Sequence, residues 1–425
     1  MDRYLVISSD GHAGPRAAEY RDYVDPEYRE VFDAALPIQI QMTEEASERF
    51  LVADINREWR RGREYELSGA WDAEARDKVL DADGVAAEVL FPDGVTEMNA
   101  PPFGAGFTMS PEGVTADLQW AGCIAHNRWM AEFVATAPER RIGLACIPVL
   151  WDVDRAVEGI RWAHENGLRG VVFPPRWGHF DAYHHTRYDP VWEICQDLRM
   201  PVHFHSGPAP FEEYFGPIPA PDGHEVQPGA MGAYITEVAL WLVRPVTFML
   251  WGGVFERFPE LRVALTEGTA IWVPEYLELL EQRYSVTHYA QKLGDFRSHL
   301  SMSPADYFRR NVRVGASCMP RREAEMRHQI GIDTIMWGTD YPHPEGSWPH
   351  TREQLRDTFH DLPEDEIVRM LGGNAAGFYG VDTEKLAPLV ARIGPEKRAF
   401  RTRDRRTGAA AGDGAARTPE AEEAP

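Results

Sequence analysis

Three short stretches of this sequence join acid and imidazole groups at spacings that suit a bound cation. In Ser-Ser-Asp-Gly-His, Asp10 and His12 stand two residues apart. On an extended backbone both side chains leave the same face. A carboxylate oxygen beside an imidazole nitrogen suits a catalytic divalent ion. The plainer reading is a chance pairing in which Asp-Gly only makes a turn. In Met-Pro-Val-His-Phe-His-Ser-Gly, His203 and His205 flank Phe204 and again share one strand face. His205 lies nearer the strand end and is the better ligand. His203, one layer deeper, is placed to touch substrate or to orient a neighbour. The third stretch, Thr-Ile-Met-Trp-Gly-Thr-Asp-Tyr-Pro-His, is an apolar run that ends in Asp340. A carboxylate there can bind metal through one oxygen and handle a proton through the other. Its plainer role is a helix cap before Pro342. Together the three stretches make a mixed nitrogen and oxygen donor set, the form of a catalytic rather than a structural ion.

Such groups converge only if strands carry them to a common end. Short β-rich runs recur at 4–8, 87–91, 142–149, 170–173, 202–205, 262–266, 312–317 and 334–338. Several are almost wholly apolar, as expected of strands covered on both faces. Helical patterns lie between most of them, at 152–166, 190–198, 273–285 and 322–330. In the first of these, Val153, Ala156, Ile160 and Ala163 share a face, and Gly167 follows as a stop. About eight strand–helix units predict an α/β fold, either a parallel barrel or a doubly wound sheet. Two long inserts, 13–80 and 206–235, follow the first and fifth strands. In a barrel both leave the face where active sites form, and they read as lids or substrate walls. A dimer arm or plain irregular surface is the alternative.

The chain has 425 residues and a formal charge of −23. That field repels phosphate, which makes nucleic acid and anionic membranes poor partners. A small-molecule substrate fits better, and a homodimer is compatible with the length. Cys123, Cys146, Cys195 and Cys318 are far apart and form no metal-ribbon spacing, as in reduced thiols of a cytoplasmic protein. The first residues show no basic, then apolar, leader, and no apolar run is expected to reach the ~18 residues of a membrane span. Residues 398–425, rich in Ala, Gly, Arg and Glu, are expected to be a disordered tail.

The sequence resembles the amidohydrolase superfamily, and within it the amidohydrolase-2 branch of aminocarboxymuconate-semialdehyde decarboxylase. The matching stretches are SSDGH at 8–12, LRMPVHFHSG at 198–207, GGVFERFPELRVALTEG at 252–268, IMWGTDYPH at 335–343 and GGNAAGFYG at 372–380. The resemblance implies a (β/α)8 TIM barrel over 1–380, followed by an extension at 381–397. It implies one divalent metal ion held by Asp10, His12, His205 and Asp340, zinc foremost, with manganese or iron as alternatives. The family often opens with His-x-His or Glu-x-His, where this chain has Asp10. No carboxylated lysine is evident at the fourth strand, so a bridged pair of metals is not expected.

In the sixth-strand motif Glu267 stands where many relatives carry histidine. It is expected to be a ligand, a general acid or base, a partner for a substrate amine, or a buried hydrogen-bonding hub. Arg176 and His179 follow the fourth strand and are placed to grip a substrate carboxylate, unless they are surface residues. His343 can donate to Asp340 or to substrate. Trp177, Trp337 and Phe204 either pack a planar substrate or belong to the core. Asp81 to Gly84 is expected to end a helix, and Asn374 to cap the last one. The activity implied is a metal-dependent decarboxylase of a small aromatic or unsaturated carboxylic acid, with Asp340 moving the proton and Arg176 holding the carboxylate. The alternatives are a metal-dependent hydrolase of an amide, lactone or related bond, and a non-catalytic ligand-binding barrel.

Overall fold

Alternate residues along the short strands feed two separate cores. One core contains Val171, Val202, Phe204, Val263, Leu265, Val312, Val314 and Ile335, packed against the surrounding helices. The other contains Ile7, Val89, Phe91, Ile142, Cys146, Val172, Ala264 and Met336 and fills the space the strands enclose. The computed structural model describes residues 2–50, 53–92, 100–106, 108–110, 113–216 and 225–401. Within them nine strands run in order: β1 Ile7–Ser8, β2 Ala87–Leu90, β3 Arg141–Gly143, β4 Ala145–Cys146, β5 Val171–Val172, β6 Val202–His205, β7 Val263–Thr266, β8 Val312–Ser317 and β9 Ile335–Gly338. All ladder pairs are parallel.

β3 and β4 are two halves of one stave interrupted at Leu144. Leu144 N donates to Leu90 O at 3.1 Å, and Ala145 N donates to Gly170 O at 3.0 Å. The stave therefore passes from one neighbour to the other without breaking the wall. Closure comes at the opposite seam, where Ser9 N donates to Trp337 O at 2.8 Å and Asp340 N to Asp10 O at 3.1 Å. The fold is a parallel (β/α)8 barrel, and the doubly wound alternative is excluded by that seam. Eight of the expected β-rich runs are its eight staves.

The helices follow the sequence signals. Val153–Glu165 starts at Asp152, whose side chain accepts from Arg155 N, and Ala156, Ile160 and Ala163 are buried. Val273–Ser285 forms with the expected ends. The expected 322–330 helix is two short ones, Arg321–Glu325 and Arg327–Ile330, broken at Met326. Ala73–Asp83 ends at Gly84 in the left-handed region, as expected of the acidic run there. Asn374 does not cap its helix. It opens Asn374–Tyr379, and its Nδ2 donates to Ile332 O and Ile335 O at 2.8 and 2.7 Å, tying that helix beneath the barrel.

Two expectations need correction. Ala230–Trp251 is long and apolar enough to cross a membrane by length and composition. Glu237, Arg244 and Pro245 interrupt the run in the sequence and hide its length. Its second half packs into the barrel's outer core through Leu242, Val246, Met249 and Leu250. Second, the fold continues past residue 397. Phe400 is 2 % exposed and meets Tyr4 edge-on at 4.9 Å. Lys397 and Arg401 both pair with Glu364, at 2.7 and 2.9 Å. One aromatic in a polar stretch sufficed to dock it, a contact that composition averages away. Residues 402–425, the rest of the expected tail, lie outside the described residues, as do 217–224 of the second insert.

Burying a phenylalanine contributes about 1.5–3 kcal/mol. A chain ended at residue 397 is therefore expected to melt several degrees lower than the full chain, whereas one ended at residue 401 should not. Calorimetry of the two truncations checks this, and equal melting temperatures would remove Phe400 from the fold's stabilising contacts.

Candidate metal centre

The expected ligands arrive from three staves at the C-terminal mouth, and each is fixed before any ligand binds. Asp10 and His12 follow β1, His205 ends β6, and Asp340 follows β9. All four are at most 1 % exposed. His12 Nε2 lies 3.5 Å from Asp10 Oδ1 and 3.2 Å from Asp340 Oδ1. His205 Nε2 lies 3.4 Å from Asp10 Oδ1. The rings are oriented through their other nitrogens: His12 Nδ1 sits 2.9 Å from Pro92 O, and His205 Nδ1 3.0 Å from Ser206 O. A backbone carbonyl can only accept, so each Nδ1 carries a proton, and the ring in its neutral form turns an Nε2 lone pair inward. That is the tautomer a metal-ligating imidazole needs.

The electrostatics point the same way. Burial pulls His205 down, but the Asp10 hydrogen bond and charge, with Glu267 beyond, outweigh it and raise the imidazole to about 9. Burial alone would raise Asp340; the charges and hydrogen bonds of His343 and His12 overturn that and hold it below the usual carboxylate range. Glu267 is pushed above that range by burial and by the Asp340 charge. Its side chain still keeps 24 % of its surface exposed, which moderates the shift. A pocket that draws protons this strongly between buried carboxylates is one that a divalent cation fits. Asp10, His12 and His205 form one set whose ligand atoms all lie within 4.8 Å of one another, and His12, Asp340 and His343 form a second.

Neighbouring groups complete the mouth. His343 Nδ1 is 3.0 Å from Asp340 Oδ1, and its ring stacks on His12 with centroids 4.0 Å apart. Glu267 accepts from Ser206 Oγ at 2.7 Å and lies 3.4 Å from His205 Nδ1. Glu267, Cys318 and Asp340, each just beyond a strand, have φ of 62°, 51° and 59°. Non-glycine residues in that region cost roughly 1–3 kcal/mol each, and such strain gathers at functional sites. Gly338 is required by packing, since a Cβ there would lie 2.8 Å from Asp10 Cβ.

His203, Arg176 and His179 are not brought into this cluster. His203 is fully buried one layer down, with Nδ1 3.0 Å from Val171 O and Nε2 2.9 Å from the Tyr379 hydroxyl. It braces β6 against β5 and the helix beneath the barrel. Arg176 is half-buried and donates from Nη1 to Ala209 O at 3.1 Å, pinning the loop after β6. His179 is exposed and stacks on Phe180 at 4.3 Å. Phe204 and Trp337 belong to the outer core, and Trp177 packs edge-on against Phe248 at 4.9 Å.

Sequence reasoning missed several supports. Phe91 lies 4.6 Å from the His205 ring and forms part of the floor. Ser317 Oγ donates to Asp10 Oδ2, fixing the carboxylate oxygen that faces away from the histidines. Arg76, from the first insert, forms a fully buried pair with Glu88 of β2 at 2.7 Å. Its Nη1 donates to His12 O at 2.7 Å. A polar residue at the end of an apolar strand could have flagged Ser317; nothing local links Arg76 to His12.

Fold and site together define a (β/α)8 barrel with a buried centre of two histidines and two aspartates. Residues 88–381 match the family model described as amidohydrolase, and the chain belongs to that family. It is 23% identical over 322 residues to 2-amino-3-carboxymuconate-6-semialdehyde decarboxylase of Dictyostelium discoideum, covering 75% of this chain and 79% of that protein. Among solved structures it resembles 5-carboxyvanillate decarboxylase from Sphingomonas paucimobilis, with TM-score 0.62 and 18% identity over 89% of this chain and 100% of the other. It also resembles the dihydroxybenzoic acid decarboxylase of Polaromonas sp. JS666, solved with manganese and 2-nitroresorcinol. There the TM-score is 0.58, with 19% identity over 89% of this chain and 97% of the other.

Replacing His12 by alanine should abolish tight binding of a divalent ion while leaving the far-UV spectrum unchanged. Metal analysis after gel filtration checks this. Wild-type occupancy in that variant would remove His12 from the ligand set.

Proposed function

We propose that this chain is a metal-dependent decarboxylase of a small aromatic or unsaturated carboxylic acid. The observation that carries the reading is the Asp340–His343 pair, 3.0 Å apart at the rim of the four-residue donor set. The relatives named above, all decarboxylases, support the reaction type. A divalent ion held by Asp10, His12, His205 and Asp340 supplies Lewis acidity toward substrate oxygens when bound. Zinc is the first expectation; two carboxylates beside two imidazoles also accept manganese, the ion in the Polaromonas structure.

The chain's own residues do the remaining work. Asp340, held ionised by its two imidazole neighbours, accepts a proton from a substrate hydroxyl or from water. It returns that proton to the carbon as the bond to the departing CO2 breaks. His343 keeps its carboxylate oriented. The aromatic wall of the second insert excludes water: Phe211, Tyr214 and Phe215 pack around Tyr234, whose hydroxyl donates to Gly207 O at 3.1 Å. Arg176, expected to hold the substrate carboxylate, stands outside the donor cluster and anchors that loop through Ala209 O. His179 and His203 are reassigned to the surface and to bracing. The compartment proposed is the cytoplasm. A homodimer is proposed through the exposed Ile235 and Leu240 of Ala230–Trp251.

Hydrolysis of an amide or lactone is the second reading, favoured by Glu267, a third carboxylate at the mouth able to take a proton. Assaying CO2 release and ring opening in parallel on a panel of aromatic acids and lactones separates the two. Turnover of lactones alone would overturn the decarboxylase.

General acid–base help is worth roughly 10²–10⁴ in rate. Asp340→Asn keeps the size and one ligating oxygen but loses the base. It should retain metal and lose at least about two decades of kcat, with KM changed less. Wild-type kcat at full metal content would leave Asp340 as a ligand only.

A further inference from the structure

At the end of the barrel opposite the metal centre, a cleft of about 370 Å³ opens where β7 and β8 begin. Its charged lining is Arg262, Arg310, Arg313 and Asp333. Arg262 precedes β7, and Arg313 is the second residue of β8. The three guanidinium groups are held by neutral acceptors. Arg262 Nη1 donates to Phe378 O at 2.7 Å, Arg310 Nη2 to Phe255 O at 2.6 Å, and Arg313 Nη1 to Val312 O at 2.8 Å. Among the described residues, none of the three has a carboxylate oxygen within 4 Å. Asp333, the one acid in the lining, is drawn instead to Arg369 at 3.2 Å.

This is an unusual local balance in a chain that carries 67 acids against 44 bases. Carbonyl acceptors orient the forks without cancelling their charge, and like charges held together repel. Burial and the adjoining Arg262 charge outweigh Asp333 and hold the Arg313 guanidinium below the usual arginine range. A second observation comes from the opposite wall. Gly373 and Gly377 both face the cleft and are exposed. Gly377 sits inside Asn374–Tyr379, where glycine costs about 1 kcal/mol relative to alanine. A Cβ at 377 would meet nothing within 4 Å, so no protein atom demands glycine there. What its absence leaves clear is the cleft itself.

We propose that this cleft binds a compact polyvalent oxyanion, free phosphate or the phosphate group of a small ester, across Arg262, Arg310 and Arg313. Guanidinium forks match the geometry of phosphate oxygens and cannot lose their charge. The negative field of the whole chain excludes loosely held polyanions and leaves the cleft as a local reversal of sign. The site is separate from the metal centre: the six residues of β8 span about 20 Å between the two ends.

The test is titration calorimetry and thermal melting of the full chain with inorganic phosphate and with glycerol 3-phosphate. Both are run at constant ionic strength against chloride. One saturable site per chain and a rise in melting temperature are expected. The tighter of the two ligands identifies the source of the phosphate. Arg313→Gln and Gly377→Glu should each weaken phosphate binding at least tenfold. The glutamate fits the open space and places a carboxylate where the anion would sit, so it serves if the arginine variant fails to fold. The metal-site variant His12→Ala should bind phosphate normally. No saturable binding, unchanged affinity in Gly377→Glu, or loss of binding in His12→Ala would overturn the proposal.

Discussion

Two aspartates buried at one barrel mouth set the terms for everything around them. Asp10 and Asp340 are at most 1 % exposed and share the His12 Nε2 atom between them. Buried carboxylates so close together require compensation, because water cannot solvate them. Part comes from His205, whose hold on a proton Asp10 strengthens, and part from Ser317, whose hydroxyl reaches Asp10. The donor set that remains is one that a divalent cation fits. Each ring is anchored through Nδ1 to a carbonyl, which keeps Nε2 turned toward the carboxylates.

The long first insert is part of this construction. Arg76 and Glu88 form a buried pair over which Tyr341 lies, with 4.5 Å between the guanidinium carbon and the ring centroid. Losing one partner of such a pair typically costs about 3–5 kcal/mol, because the other charge is stranded. Here the pair does more than hold two segments. Through the bond to His12 O it fixes the main chain of one of the four residues of the donor set. Leu67 and Val79 of the same insert pack with Tyr341 and Trp348, so the wall beside Asp340 is also built from it. The insert reads as a wall rather than a detachable arm.

Glu267 gives the mouth its particular character. A carboxylate at that position adds negative charge to a place already crowded with it, which is why burial and Asp340 push it toward the neutral form. Its bonds to Ser206 and proximity to His205 tie the sixth stave to the fifth at the rim. The left-handed backbone at Glu267, Cys318 and Asp340 turns three consecutive strand ends the same way. Packing of the barrel beneath sustains that strain, since β7, β8 and β9 are paired along their lengths.

Apolar β-rich runs alternating with helical patterns were enough to read eight strands from the sequence, and two-residue spacing at strand ends was enough to read the convergence of Asp10, His12, His205 and Asp340, while the choice of a barrel over a doubly wound sheet came from the family resemblance. Both depend on local geometry: alternate side chains of a strand share a face, and parallel strands share an end. His343 beside Asp340 is legible for the same reason, three residues away on one loop. The depth of a residue and the company it keeps are not local. His203 and His205 look alike in sequence, yet one ends against Tyr379 and the other at the mouth, because Tyr379, on the helix beneath the barrel, comes from 176 residues downstream. Phe400 docks because Tyr4 offers it a face, and Arg76 matters because His12 O lies within its reach. Arg176 and His179 were marked by their place after a strand, but only the path of the loops decided which became an anchor and which remained on the surface. Contacts between segments far apart in the chain leave no trace in a local pattern, since each is made possible by closing the barrel around it.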